Sequence, residues 1–64
     1  MCLSTAYLNS RDEDRVAARY VQSIEVNGRN ITLTDVLGSR TEVEGVISYV
    51  DLTGGSVIIS TAEQ

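Results

Sequence analysis

The stretch that decides the fold covers residues 23–33, which read Ser23-Ile24-Glu25-Val26-Asn27-Gly28-Arg29-Asn30-Ile31-Thr32-Leu33. Two segments of alternating polar and apolar residues flank Asn27-Gly28, the dipeptide best suited to the positive φ angles of a type I′ turn. A two-residue turn at this point would pair Val26 with Arg29. This register puts the aliphatic side chains of both segments on one face, because side chains alternate along a strand. The stretch therefore predicts a β-hairpin.

Further strand signals follow the hairpin. A turn ending at Gly38 precedes the polar run Arg40-Thr41-Glu42-Val43-Glu44, which is typical of an edge strand. Residues 46–52 are mostly apolar but do not alternate strictly, so we expect a bulge near Ser48 and Tyr49. Gly54-Gly55 then predicts a turn into a last strand over residues 56–60.

Residues 10–24 allow two interpretations. Ser10 and Glu13 fit a capping box, and Val16, Tyr20 and Ile24 lie on one helical stripe, so a helix of three turns is possible. The acidic run Arg11-Asp12-Glu13-Asp14 fits equally well the polar tip of a hairpin that joins the Cys2 strand to a strand through Val16. The local pattern favours neither.

The whole pattern predicts an all-β fold made of five to seven short strands joined by tight turns. In 64 residues this indicates one domain, residues 1–64, folded as a small antiparallel β-barrel of the SH3-like or OB-like kind, closed or partly closed. The barrel's own Val, Ile and Leu side chains would fill such an interior. We therefore expect no internal substrate pocket.

Charge excludes some partners. The formal net charge is -4, and lysine is absent, so that every cationic side chain is an arginine. Phosphate backbones and anionic membranes attract basic surfaces, so this charge balance argues against nucleic acid and membranes as partners. No apolar run approaches the roughly 20 residues of a membrane span, and the N-terminal residues lack the features of a signal peptide. We expect a cytoplasmic protein.

Cys2 is the one candidate ligand for a metal or a redox partner. The chain has no other cysteine and no histidine. No nucleophile with an adjacent base can be assigned, which argues against an enzyme. A single thiol cannot close a metal site, but two chains related by a two-fold axis could each supply one. The alternative is that Cys2 is a small apolar residue that simply packs. Tyr7, Tyr20 and Tyr49 are expected to pack in the core or in an interface.

The order of several short segments resembles the CooT family of small nickel-binding proteins, from one end of the chain to the other. The Met-Cys start combined with the ordered later segments makes the resemblance fairly specific. The segments are Met1-Cys2-Leu3-Ser4-Thr5-Ala6-Tyr7-Leu8, Val26-Asn27-Gly28, Ile31-Thr32-Leu33-Thr34-Asp35-Val36-Leu37-Gly38, Val43-Glu44-Gly45 and Val50-Asp51-Leu52.

The resemblance implies a homodimer of small β-barrels in which Cys2 binds Ni(II) at or near the dimer interface, with one ion per dimer. It implies a nickel metallochaperone for carbon monoxide dehydrogenase maturation, whose partners are that nickel enzyme or its maturation factors. Only Cys2 carries over as a ligand. The resemblance also favours strand over helix for residues 15–18.

Two further expectations concern the N-terminus and the family. Two copies of Cys2 must approach each other, so we expect the N-terminal strand to make the dimer contact. Members of this family are also described as predicted RNA-binding proteins, which the negative charge of this chain does not favour. A protein-interaction barrel without metal is the remaining alternative.

Overall fold

The computed structural model describes residues 3–61, and its elements are strands apart from one 3-10 turn. In chain order they are β1 (Ser4–Leu8), the 3-10 turn (Glu13–Arg15), β2 (Val16–Asn27), β3 (Asn30–Asp35), β4 (Arg40–Glu44), β5 (Val46–Asp51) and β6 (Ser56–Ser60). The prediction of an all-β fold of five to seven strands is confirmed, although β2, with 12 residues, is longer than the short strands expected. The described residues include no helix long and apolar enough to cross a membrane.

The six strands form one sheet in the order β4-β3-β2-β1-β6-β5. Neighbouring strands are antiparallel except for β1 and β6, which are parallel, with Thr5 opposite Ser56 and Leu8 opposite Ile59. The expectation of a wholly antiparallel sheet is therefore wrong for the pair β1 and β6. Parallel neighbours cannot be joined by a tight turn. This pair needs none, because the rest of the sheet is the connection between them.

The predicted hairpin is present, but its loop lies one residue further along the chain. Gly28 and Arg29 form the loop, and Val26 pairs with Ile31 rather than with Arg29. Gly28 has a φ of 64°, whereas Arg29 is not among the residues with positive φ. Positive φ at the first loop position alone is what a type II′ turn requires, and glycine meets it most easily. The register shifts by two residues, so the aliphatic face is kept.

Strand β2 bends sharply near Tyr20, and this bend lets it serve two neighbours. Val21 pairs with Ser4 of β1 on one side and with Asp35 of β3 on the other, and both ladders are irregular here. Tyr20 has a φ of 56°, a backbone conformation that residues other than glycine adopt only at a cost in free energy. The first half of β2 thus pairs with β1 and the second half with β3.

The segment with two interpretations is a hairpin connection followed by a strand. The prediction of strand is confirmed from Val16 onward, while Arg15 is the last residue of the 3-10 turn. No capping box forms. Asp12 is the N-cap residue and makes no side-chain cap, and the Ser10 hydroxyl donates to the Asp12 carboxylate at 3.2 Å. The acidic run is therefore part of the β1–β2 connection.

Gly45 alone joins β4 to β5, although these strands are the two edges of the sheet. Six flat strands would hold their edges about 24 Å apart, whereas one intervening residue spans about 7 Å. The sheet must therefore curl until its edges approach each other at this corner. No ladder joins β4 to β5 among the described residues, so the sheet is not closed and the predicted barrel is not confirmed.

The core lies inside the curl and draws on five of the six strands. Its fully packed members are Ala6, Val21, Ile31, Leu33, Val57 and Ile59, with Leu8, Ala17, Ala18, Ile24 and Val43 packed against them. The edge character of β4, the turn at Gly38, the bulge at Ser48 and the final turn at Gly54-Gly55 are all confirmed.

We predict that Gly45→Ala destabilises the protein. A Cβ at this position would overlap the Ser60 carbonyl oxygen, and overpacking against fixed atoms costs about 1–3 kcal/mol. If the corner were open, the same change would stabilise the chain by about 0.4–1 kcal/mol, since Gly45 has no positive φ. Urea denaturation gives the sign of the change in unfolding free energy. An increase in this free energy would contradict the close packing of Gly45 against the Ser60 carbonyl.

Candidate functional site

The candidate ligand Cys2 lies outside the described residues, which begin at Leu3. The structure therefore shows the surface from which the N-terminus extends. This surface is built from three parts: the start of β1, the loop between β5 and β6, and the loop between β3 and β4.

The start of β1 is fixed against the loop between β5 and β6. The Thr5 amide donates to the Gly55 carbonyl at 2.8 Å. Gly55 has a φ of 71°, and a Cβ there would lie 3.2 Å from the Leu3 carbonyl oxygen. Glycine at this position thus allows both the turn and the close approach of the N-terminal strand.

Asp51 organises the β5–β6 loop. Its Oδ1 accepts hydrogen bonds from the amides of Thr53 at 3.1 Å and Gly54 at 3.0 Å. Its Oδ2 lies 3.5 Å from an Arg11 guanidinium nitrogen. Arg11 belongs to the β1–β2 connection, so the ion pair joins two loops that are distant in sequence. The side chain of aspartate commonly caps its own turn in this way.

Asp35 organises the β3–β4 loop by the same means. Its Oδ1 accepts hydrogen bonds from the amides of Leu37 at 2.9 Å and Ser39 at 3.0 Å. The loop is anchored to the bend in β2, because the Val36 amide donates to the Tyr20 carbonyl at 3.1 Å. Through the ladder from Asp35 to Val21 and on to Ser4, this loop reaches the start of β1.

These parts bring exposed apolar side chains to the end of the molecule where the N-terminus emerges. We call this surface the N-terminal rim, and it consists of Leu3, Tyr20, Val36, Leu37 and Leu52. Leu37 is 88% exposed and Leu52 is 83% exposed, although each lies in a loop held by an aspartate. Ordered loops that present leucine to solvent are typical of a surface that contacts another molecule.

The tyrosines are not in the core. Tyr20 and Tyr49 are exposed, and Tyr7 is half-buried, so the expectation of core packing is wrong, while packing in an interface stays a prediction. Tyr7 and Tyr49 lie on the outer face of the sheet, on either side of Ile58. The Arg19 guanidinium donates a hydrogen bond to the Glu13 carboxylate at 2.9 Å, and this bond raises the pKa of Arg19.

The structure also contains an open groove that the sequence did not predict. It has a volume of about 510 Å³ and is lined by Leu8, Asn9, Asp14, Arg15, Val16, Arg29, Glu42, Val43, Glu44 and Thr61. The Nε of Arg15 donates to the Leu8 carbonyl at 3.2 Å. Two arginines and three carboxylates share the lining, so no single ligand charge is favoured. The groove is a gap in the curled sheet rather than an internal pocket.

Within residues 3–61, no three histidine, cysteine or carboxylate side chains lie close enough together to hold a metal ion. The sequence is matched over residues 1–60 by a family model described as the CO dehydrogenase accessory protein CooT. The chain belongs to the CooT family. The match covers nearly the entire chain and includes Cys2, which confirms the resemblance drawn from the segments. A comparison with curated proteins found no match.

Membership of the CooT family gives the protein an accessory role to CO dehydrogenase. An accessory protein serves an enzyme and is not the catalyst itself, which agrees with the lack of an assignable nucleophile and base in the sequence. Such a role suggests an interaction with that enzyme. Five of the exposed apolar side chains among residues 3–61 of this CooT protein belong to the N-terminal rim.

We predict that Asp51→Ala loosens the β5–β6 loop. The change removes the acceptor for two loop amides and the partner of Arg11, and a lost hydrogen-bond set of this kind costs about 1–2 kcal/mol. Hydrogen exchange at the amides of Thr53 and Gly54 should accelerate. Asp14→Ala is the control, because its exposed carboxylate makes no hydrogen bond or ion pair to other described residues. Equal effects of the two changes would contradict the role of Asp51.

Proposed function

We propose that this protein is a nickel metallochaperone, a homodimer that binds one Ni(II) through the Cys2 thiolates of its two subunits and supplies nickel to CO dehydrogenase. The observation that carries the proposal is the family match, which starts at residue 1 and so includes Cys2. The description of the family names the enzyme served. The structure supports the proposal through the apolar surface that surrounds Leu3, the neighbour of Cys2.

The dimer contact is best placed on the N-terminal rim and not along the edge of β1. Strand β1 lies in the middle of the sheet, between β2 and β6, so both of its edges already pair within the chain. An intermolecular ladder on β1 cannot form without breaking its ladder with β2 or its ladder with β6. The rim remains available, and its burial would add apolar area to a domain too small to have a large core.

Nickel suits the donors that two such subunits offer. Ni(II) is a d⁸ ion, and thiolate and deprotonated nitrogen donors favour a square-planar site, which two cysteines and two backbone or terminal nitrogens can complete. A structural zinc site normally requires four cysteine or histidine ligands, and a dimer of this chain supplies two. If Met1 is removed, the amine of Cys2 becomes a nitrogen donor next to its own sulfur.

The alternative of an RNA-binding protein has less support. Glu25, Glu42 and Glu44 are all exposed on the β2–β3–β4 half of the sheet, in a chain whose net charge is -4. Carboxylates on this surface repel the phosphate backbone. A binding constant for RNA that falls steeply with salt concentration would be evidence for this alternative.

We predict that Ni(II) added to the protein produces a thiolate-to-metal charge-transfer absorption that saturates at one ion per two chains. Ligation requires the deprotonated thiol, so the band should weaken as the pH falls below the pKa of Cys2. The measurement is an absorption titration on protein whose N-terminus has been defined by mass spectrometry. Samples with and without Met1 should be compared, because the terminal amine differs between them.

Cys2→Ser is the matched control, since it keeps the size of the side chain and removes the soft donor. The band should be absent in this variant, while its circular dichroism spectrum is unchanged. An equally intense band in Cys2→Ser, or no band in the parent protein at neutral pH and saturating nickel, would disprove the proposed site.

We also predict that Leu37→Asp and Leu52→Asp weaken the dimer. Each adds a charge at the centre of an apolar contact, and loss of such a contact raises the dissociation constant by about tenfold or more. Sedimentation equilibrium gives the dissociation constants. Val26→Asp is the control, because Val26 is 55% exposed near the tip of the β2–β3 hairpin and lies outside the rim. A dimer weakened equally by all three changes would contradict the assignment of the contact to the rim.

A further inference from the structure

The two edges of the sheet differ in how they are protected. β4 carries the exposed charged residues Arg40, Glu42 and Glu44, which discourage pairing with another strand. β5 has none over residues 46–50, and it pairs only with β6 among the described residues. A strand edge that is unpaired, apolar and uncharged is a ready template for another strand.

Side chains on the inner face of β5 are partly exposed, so the core is open to solvent beside this strand. Ile47 lies opposite Ile59, which is fully buried, and Val50 lies opposite Val57, which is almost fully buried. Ile47 is nevertheless 36% exposed and Val50 is 46% exposed, since β5 has one neighbour only. A seventh strand beside β5 would cover both side chains and extend the core.

The charges at the two ends of β5 indicate which strand would fit. Glu44 precedes Gly45 and β5, and Asp51 is the last residue of β5, so carboxylates stand at both ends of the uncharged run. Glu44 makes no ion pair or hydrogen bond through its side chain to the described residues, whereas Asp51 is near Arg11. A strand with basic residues at its ends would complement this arrangement.

A second copy of the chain fits this edge poorly. Antiparallel pairing about a two-fold axis at Ser48 would bring Glu44 towards Asp51 of the second copy at both ends of the ladder. The bulge at Ser48 also makes this pairing mismatch the two faces of the strand. Ile47 lies on the inner face and Tyr49 on the outer face, yet this pairing would set them opposite each other. A strand of different sequence is not bound by either constraint.

We propose that the free edge of β5 binds an extended apolar segment of another protein, flanked by basic residues, as a seventh strand of the sheet. Backbone hydrogen bonds along β5 hold the segment in place. Apolar side chains of the segment cover Ile47 and Val50, and its basic ends lie near Glu44 and Asp51. This binding mode is the addition of a strand to a sheet edge. The proposal is independent of nickel binding, since it does not involve Cys2.

The test uses a blocked peptide of sequence KKVTVSVKK and the ¹⁵N-labelled full chain at low salt. We expect chemical shift changes and slower hydrogen exchange at the amides of residues 46–50. The matched peptide EEVTVSVEE should bind at least about tenfold more weakly, because its charges oppose the carboxylates at the ends of β5. Glu44→Lys should reduce the preference between the two peptides.

Tyr49→Lys is the variant that should abolish binding, because a lysine within an edge strand blocks pairing with another strand. Val26→Lys is the control, since Val26 is exposed to a similar degree and is separated from β5 by β1 and β6 in the order of the sheet. The spectra of both variants show whether the fold is intact. Cys2→Ser should bind the peptide as the parent does, so that failure of the nickel site and failure of this proposal are distinguishable.

Three results would overturn the proposal. One is the absence of shifts at residues 46–50 with the lysine-flanked peptide at saturating concentration. Another is a set of shifts that maps to β4. The third is a change at β5 that depends on protein concentration without peptide, which would make a second copy the occupant of this edge.

Discussion

The architecture depends on one tight connection, the single glycine between β4 and β5. A sheet whose first and last members are joined by one residue cannot lie flat. The curl that this connection imposes creates an inside, and the aliphatic faces of the strands meet there as the core. Gly45 is suited to this place because the Ser60 carbonyl leaves no room for a side chain.

The curl also requires strands to bend, and β2 bends where its pairing changes from β1 to β3. This strand is 12 residues long and turns at Tyr20, where its backbone enters a region that is costly for tyrosine. The bend also positions the β3–β4 loop, since the Tyr20 carbonyl holds the amide of Val36. The apolar end of the molecule is thus a product of the same distortion that forms the core. The bend at Tyr20 therefore contributes both to the core and to the N-terminal rim.

The sequence predicted those features that leave a local signal. Alternation over residues 23–33 assigned the aliphatic face correctly, because faces depend only on odd and even positions. It missed the register, since Gly28 occupies the first loop position that Asn27 was expected to fill. The parallel pairing of β1 with β6 left no signal, because no local residue pattern shows which of the strands distant in sequence will pair. Nothing in the residue type at Tyr20 indicates a positive φ.

The candidate site was predictable to a different degree. Cys2 stands out in the sequence because it is the single cysteine, and the family match extends over its position. The two aspartate-held loops could have been found, since Asp35 and Asp51 are each followed three residues later by a glycine, Gly38 and Gly54. What the sequence could not give was their convergence around Leu3, which depends on the curl.

The parallel ladder between β1 and β6 also governs the order in which this protein can form. β1 is made first and β6 last, and the chain over residues 9–55 must be present before the two can pair. Pairing over such a separation is slow, because a long loop has to close before any contact rewards it. During synthesis the edge of β1 that will pair with β6 therefore stays unpaired. The edge of β1 that faces β6 becomes paired only when the last strand has been made.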